Sequence, residues 1–275
     1  MFTRKLRRAF VIAPLALVAL FLLGSGGPAG AKSQADRSPR PTIVLVHGDW
    51  ADGSSWTSVI ERLQDRGFTV VAPPNLLRGP ATDSAYLASY LRSISGPIVL
   101  VAHSYRGFVT TNAATGNPNV KALVYIDSFM PEEGETAGAL AAGAGSCVDE
   151  SALNAVPFDG GVDLYLRWEA NPPYPGFIDC FANGVGPRKA RVLAAVQRPA
   201  DAAQFSVPSG PPAWKTIPSW SLIGKLDNVI PRALQEEMSS RAGARISRVR
   251  AGHLTPITRP AAVIKVIFSA IDATR

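Results

Sequence analysis

Three segments of the chain carry residue types that perform acyl transfer when they are brought together. The first is Leu100-Val101-Ala102-His103-Ser104-Tyr105-Arg106-Gly107, where an apolar run ends, small residues follow and a helical stretch begins. A sharp turn at that place lifts a serine hydroxyl above the strand end and surrounds it with the amides of a helix N-terminus. The second is Leu222-Ile223-Gly224-Lys225-Leu226-Asp227-Asn228-Val229-Ile230-Pro231, a strand end followed by a short loop with Asp227. The third is Val249-Arg250-Ala251-Gly252-His253-Leu254, a short strand followed by a loop histidine. A serine hydroxyl is a poor nucleophile unless a base takes its proton, and a carboxylate that fixes the imidazole tautomer completes the set. The chain has 3 histidines; His47 and His103 sit beside other motifs, which leaves His253 as the candidate base.

A fourth segment, Val44-Leu45-Val46-His47-Gly48-Asp49-Trp50, ends another apolar run in His-Gly. In this position a loop supplies one backbone donor to a developing oxyanion, and the residue after the nucleophile supplies the other. Those donors are expected at Asp49 and Tyr105. His47 is expected to be structural, its ring hydrogen-bonding the loop. Arg106 departs from the usual G-x-S-x-G spacing, which has a small residue there. It is expected to point outward, to enter the pocket and engage a substrate carboxylate, or to distort the turn.

The elements that must position these residues follow a strand–helix alternation. Ile43–Val46 is a continuous β-branched run, as in a strand buried on both faces. Helical spacing follows at 56–63, a strand at 69–72, a helix at 82–94, a strand at 98–101 and a helix at 105–114, then a strand at 122–126. The alternation breaks after Met130. Residues 131–214 are rich in Gly, Pro and Ala and hold Phe158, Tyr165, Trp168, Tyr174, Phe177, Phe181 and Phe205. Strand order resumes at 220–223, with a helix at 232–241, a strand at 245–249 and a last helix to about Ile271. This pattern predicts a mostly parallel sheet with helices on both faces and an inserted cap. The aromatics of the insert suggest apolar pocket walls, although most of them are expected to bury the cap on the sheet.

Taken together, HGDWADGSSW, AHSYRG, GKLDNVIP and AGHLTPITRP resemble the α/β-hydrolase superfamily, and within it the small-esterase branch that holds plant methylesterases and hydroxynitrile lyases. The resemblance runs from about Pro41 to Ile271. It implies the α/β-hydrolase fold, with Ser104 as nucleophile, His253 as base and Asp227 as the orienting acid. Asp127 is a rival acid, because some relatives place theirs at the end of the preceding strand. The expected activity is hydrolysis of a small or medium carboxylic ester or lactone through an acyl-enzyme. The alternatives are a lyase or cofactor-free perhydrolase on the same residues, and a non-catalytic binding protein with an elbow degraded by Arg106. No cofactor, metal or nucleic-acid partner is expected, and the substrate is a small molecule of apolar character.

Composition narrows the setting. The chain has 275 residues, 28 Lys+Arg and 21 Asp+Glu, for a formal charge of +7. Four of the basic residues, Arg4, Lys5, Arg7 and Arg8, stand in residues 1–31, which carry no acid. The remaining 24 against 21 gives +3 and no reason to invoke nucleic acid. That basic start, the apolar run Ala9–Leu23 and the ending Ala29-Gly30-Ala31 read as a secretory signal cleaved after Ala31. Arg7-Arg8-Ala9-Phe10 also fits a twin-arginine signal. Residues 32–40 read as a linker and 41–275 as the hydrolase domain, free of stable membrane association once the signal is removed. Export would permit a disulfide between the 2 cysteines, Cys147 and Cys180.

Overall fold

A computed structural model describes residues 39–168 and 176–275. The expected signal segment and Tyr174 lie outside the described residues.

The elements are, in order, β1 (Thr42–Val46), α1 (Thr57–Gln64), β2 (Val70–Val71), α2 (Pro80–Arg92), β3 (Ile98–His103), α3 (Arg106–Ala113) and β4 (Val120–Ile126). The cap contributes α4 (Ala137–Ala141), β5 (Leu153–Phe158), β6 (Gly161–Leu166), α5 (Pro187–Ala195) and β7 (Ala200–Asp201). The sheet then resumes with β8 (Ser219–Gly224), α6 (Arg232–Arg241), β9 (Arg245–Val249), α7 (Thr255–Thr258) and α8 (Pro260–Ala273).

Six strands form one parallel sheet in the order β2-β1-β3-β4-β8-β9. Strand periodicity divides its side chains between two cores. Val44, Val46, Leu100 and Ala102 join Leu87 and Leu91 of α2 and Phe108 of α3 on one face. Ile43, Leu45, Val99 and Val101 join Val59 and Leu63 of α1 and Val263 and Ile267 of α8 on the other. This is why the central strands read as unbroken apolar runs rather than as alternating ones.

From β1 the chain moves outward to β2 and then returns past β1 to β3, so the order of strands reverses between β1 and β3. Ligands in open α/β sheets bind at such a switch point, outside the carboxyl ends of the strands. Asp49 follows β1, Ser104 follows β3, Asp127 follows β4, Asp227 follows β8 and His253 follows β9. The topology therefore brings five separated segments to one edge of the sheet.

The cap holds more regular structure than its composition suggests. β5 and β6 form an antiparallel hairpin around Asp159-Gly160, with Gly160 at φ +97°, and β7 pairs with β6. Its aromatics take different places. Phe177 and Phe181 are buried, Phe205 lines the cavity over Ser104, and Phe158 and Trp168 face solvent. Cys147 and Cys180 form a disulfide across the cap, with Cα atoms 5.7 Å apart.

Candidate active site

Ser104 stands between β3 and α3 with φ +61°. A side chain in that left-handed region costs about 1–2 kcal/mol and persists only where its surroundings hold it there. Here the Ser104 carbonyl accepts three hydrogen bonds, from Gly107 N (3.1 Å), Phe129 N (3.3 Å) and Ser128 Oγ (2.6 Å). Two glycines make the turn possible. A Cβ on Gly48 would lie 2.6 Å from Ser104 Cβ, and one on Gly107 would overlap the Phe129 carbonyl oxygen. The small residue that lets α3 approach β4 is thus Gly107, three positions after Ser104, and Arg106 does not distort the elbow.

Ser104, His253 and Asp227 form a continuous chain of hydrogen bonds. His253 Nε2 is 2.8 Å from Ser104 Oγ, and His253 Nδ1 is 2.9 Å from Asp227 Oδ2. Asp227 Oδ1 accepts from Val229 N (2.8 Å) and Ile230 N (3.0 Å), and Oδ2 accepts from Gln235 Nε2 (2.8 Å). Those donors fix the carboxylate plane so that one oxygen faces the ring. Burial raises the Asp227 carboxyl, and the Ile230 and Val229 amides and Gln235 pull it back toward the ionised form. Burial lowers His253 to about 3, which keeps the imidazole neutral, the form a general base requires.

The rival acid has another task. Asp127 Oδ1 accepts from Gly224 N (2.7 Å) and Oδ2 from Thr255 N (3.2 Å), so it ties the end of β8 to the start of α7. Burial raises its carboxyl, and the nearby Asp227 raises it further.

Asp49 and Tyr105 flank the nucleophile, and both line the cavity that holds Ser104. Among the described hydrogen bonds neither backbone N–H has a protein acceptor, whereas Trp50 N donates to Arg198 O (3.1 Å). Two buried residues with unspent amides beside a serine are the geometry of an oxyanion pocket. The His47 ring donates Nδ1–H to Gly48 O (3.0 Å) within the same loop. Burial lowers it to about 4.

A family model for the alpha/beta hydrolase family matches residues 43–266. The chain belongs to that family. A carbendazim-hydrolysing esterase from Nocardioides sp. (strain SG-4G) is 32% identical over 111 residues, a stretch covering 36% of this chain and 46% of that protein. The chain thus spans less than half of that relative. Two solved hydrolase structures share the fold. A pyrethroid hydrolase from Sphingobium faniae JZ-2 superposes with TM-score 0.65 at 18% identity, covering 85% of this chain and 98% of the other. An Arabidopsis methylesterase gives 0.66 at 16%, covering 85% and 99%.

Several residues of the candidate site carry no sequence signal. Gln235 lies 8 positions beyond Asp227, one face of α6 away. From the cap, Asn183 donates Nδ2–H to Leu226 O (2.6 Å) and accepts from His253 N (3.2 Å) through Oδ1, joining the two loops that carry Asp227 and His253. Phe181 packs 5.2 Å from the His253 ring, and His103 donates Nε2–H to His253 O (2.9 Å) from beneath. Arg106 takes none of the three expected places: it is fully buried and ion-paired, with Nη1 on Asp83 Oδ2 (2.6 Å) and Nη2 on Asp49 Oδ1 (3.3 Å).

Proposed function

We propose that the protein is a serine hydrolase that cleaves a small or medium carboxylic ester, lactones included, through an acyl-enzyme at Ser104. The hydrogen-bonded chain from Ser104 Oγ through His253 to Asp227, mounted on a left-handed elbow, carries this reading. Ser104 Oγ attacks the carbonyl carbon as its proton passes to His253 Nε2. The carbonyl oxygen becomes an alkoxide facing the N–H groups of Asp49 and Tyr105. Asp227 stabilises the imidazolium. Collapse of the adduct breaks the ester bond, and the leaving alcohol takes the proton from His253. Water then repeats the sequence on the acyl-enzyme. The partial relative named for hydrolysing carbendazim supports ester hydrolysis as the class of reaction.

The cavity over Ser104 measures about 770 Å³. Ala137, Gly138, Ala141 and Ala142 form one wall, Phe129, Phe205, Leu153 and Val229 add apolar surface, and no Lys or Arg lines it among the described residues. Such a wall, with Asp149 and Glu150 also lining the cavity, disfavours anionic substrates. The non-catalytic reading depended on Arg106 spoiling the elbow, and the ion-paired Arg106 removes that argument.

A fluorophosphonate probe tests the assignment. Wild type is expected to label once per chain and Ser104→Ala not at all; a folded wild type that fails to label overturns the proposal. A p-nitrophenyl ester series of rising chain length then sizes the pocket. Export through the N-terminal segment is part of the same proposal, supported by its charge and apolar pattern and by the Cys147–Cys180 disulfide. Cell fractionation with N-terminal sequencing is expected to find the mature protein outside the cytoplasm, starting at Lys32.

A further inference from the structure

Arg106 opens α3 directly after Tyr105, one of the two residues proposed to donate an N–H to the reacting oxygen. Its guanidinium reaches the other. Nη2 donates to Asp49 Oδ1 (3.3 Å) while Gln204 Nε2 donates to Asp49 Oδ2 (2.8 Å), so the Asp49 carboxylate is gripped from two sides. Nη1 donates to Asp83 Oδ2 (2.6 Å), and Asp83 Oδ1 accepts from Arg78 N (3.3 Å), which anchors the guanidinium in the first turn of α2. The Tyr105 ring lies 5.2 Å from the guanidinium carbon. Arg106, Asp49, Asp83 and Gln204 are each 0–1% exposed. The network thus ties the loop after β1, the starts of α2 and α3, and the cap.

A packing role alone would not require a cation here. Burying a guanidinium is unfavourable unless it is paired, and packed apolar residues do such work as well or better. The charge has a specific use at this place. Asp49 lines the cavity with Ser104, so its carboxylate stands on the residue whose amide must receive a developing negative charge. Left unpaired, that carboxyl, which burial already raises, would oppose the oxyanion wherever it stays ionised, and in either form it would be free to turn the peptide away from it.

We infer that Arg106 is a positioning residue of the oxyanion pocket, holding residue 49 so that its N–H faces the reacting oxygen while cancelling the Asp49 charge beside it. The inference rests on the serine-hydrolase reading. It assigns a purpose to the departure from G-x-S-x-G: the position after Tyr105 links the two oxyanion donors through a side chain.

An aryl trifluoromethyl ketone separates this role from general support of the pocket. Ser104 Oγ adds to the ketone carbon, the hydroxyl proton moves to His253, and the carbonyl oxygen becomes the alkoxide that the two N–H groups bind. The matching secondary alcohol occupies the same cavity without forming an oxyanion. In Arg106→Gln, kcat and ketone affinity are expected to fall together by roughly 10²-fold, the scale of losing one oxyanion donor, with KM and alcohol affinity within threefold of wild type. Arg106→Gln/Asp49→Asn is expected to recover at least fivefold of both, because the carboxylate left unpaired is removed. Gln204 Oε1, which has no partner among the described residues, can then accept from the new amide. Should Arg106→Gln not fold, Arg106→Gln/Asp83→Asn removes the other unpaired carboxylate and carries the same expectation. A folded variant with ketone affinity and kcat within twofold of wild type overturns the inference, as does an equal loss of ketone and alcohol affinity. A wild type that forms no ketone adduct overturns the underlying hydrolase reading instead.

Discussion

The side-chain and carbonyl oxygens of Asn183 occupy the space where Gly252 would carry a Cβ. The cap therefore presses directly on the backbone that precedes His253. Gly252→Ala is expected to displace that loop and lower kcat by at least 10²-fold in a protein that still folds, since a misplacement of about 1 Å costs that much. Asn183→Ala, which removes the hydrogen bonds to Leu226 and His253, is expected to lower kcat about 5- to 30-fold, consistent with ~1 kcal/mol per bond. Combining the two is expected to give no rescue, because the Asn183 carbonyl oxygen still blocks the new methyl. Recovery of activity in the double variant would show that the side chain alone sets the loop.

The two buried aspartates divide their work, and substitution distinguishes them. Asp227→Asn keeps the shape but presents an amide to His253 Nδ1, which disfavours the tautomer that accepts the serine proton. Its kcat is expected to fall by 10³-fold or more with little change in KM. Asp127→Asn instead disturbs the bonds to Gly224 N and Thr255 N. Urea unfolding is expected to show a loss of ~1–3 kcal/mol, with kcat affected less than tenfold. The reverse pattern in steady-state kinetics would move the acid to Asp127.

The sheet is legible because it depends on local pattern, and the candidate triad is proposed from pattern of the same kind. Strands buried on both faces must be apolar without interruption, and a nucleophile on an elbow must have small neighbours such as Gly48 and Gly107. The choice of Asp227 over Asp127 rests on the family resemblance, because both stand between Ser104 and His253 in the chain. The strands of the cap are not among the expected elements, because β5 is largely exposed and contains Pro157, which breaks the alternation of a half-buried strand. Asp159-Gly160 between two runs was nonetheless a hairpin signal. Arg106, Asn183 and Gln235 were beyond reach for a different reason. Their partners lie up to 57, 70 and 8 positions away, and only the folded chain brings a cation to Asp49 or an amide to His253.

Burial decides the response to acid. His253 is lowered from 6.5 to about 3 and His47 to about 4, both chiefly by desolvation. The base thus stays neutral well below the usual histidine range. The acid limb of kcat/KM is expected below pH 6.5, and a midpoint at or above that value would show that Asp227 stabilises the imidazolium more than burial opposes it. Stability has its own sign. Each depressed histidine contributes stability above pH 6.5 that is lost as pH falls toward 3–4, because the unfolded chain takes up the proton first. Asp49, raised by burial to about 6, works in the opposite sense: its contribution is present below 3.8 and is lost as pH rises through 6. Asp49→Asn is therefore expected to lose up to ~3 kcal/mol more than wild type between pH 6.5 and 4, measured by urea unfolding.

The disulfide joins the pocket wall to the packing around the base. On one side, Cys147 N donates to Asn228 O (2.8 Å) and Ser146 Oγ to Val229 O (2.7 Å), in the loop that carries Asp227. On the other, buried Cys180 adjoins Phe181, whose ring lies against His253. Closing a loop with a separation of 33 residues contributes about 3–4 kcal/mol in the chain-entropy model. Cys147→Ser/Cys180→Ser is expected to melt roughly 6–15 °C lower, given ~2–4 °C per kcal/mol for a domain of this size. Loosening the wall at Ser146 and Val148 is expected to raise KM several-fold, and loosening Phe181 to lower kcat by less than tenfold. Because Cys180 is fully buried and Cys147 half-buried, dithiothreitol is expected to reduce the bond slowly, through Cys147, in the native protein and faster once denaturant opens the cap. Kinetics and melting unchanged in the double serine variant would mean that the cap holds its shape through noncovalent packing alone.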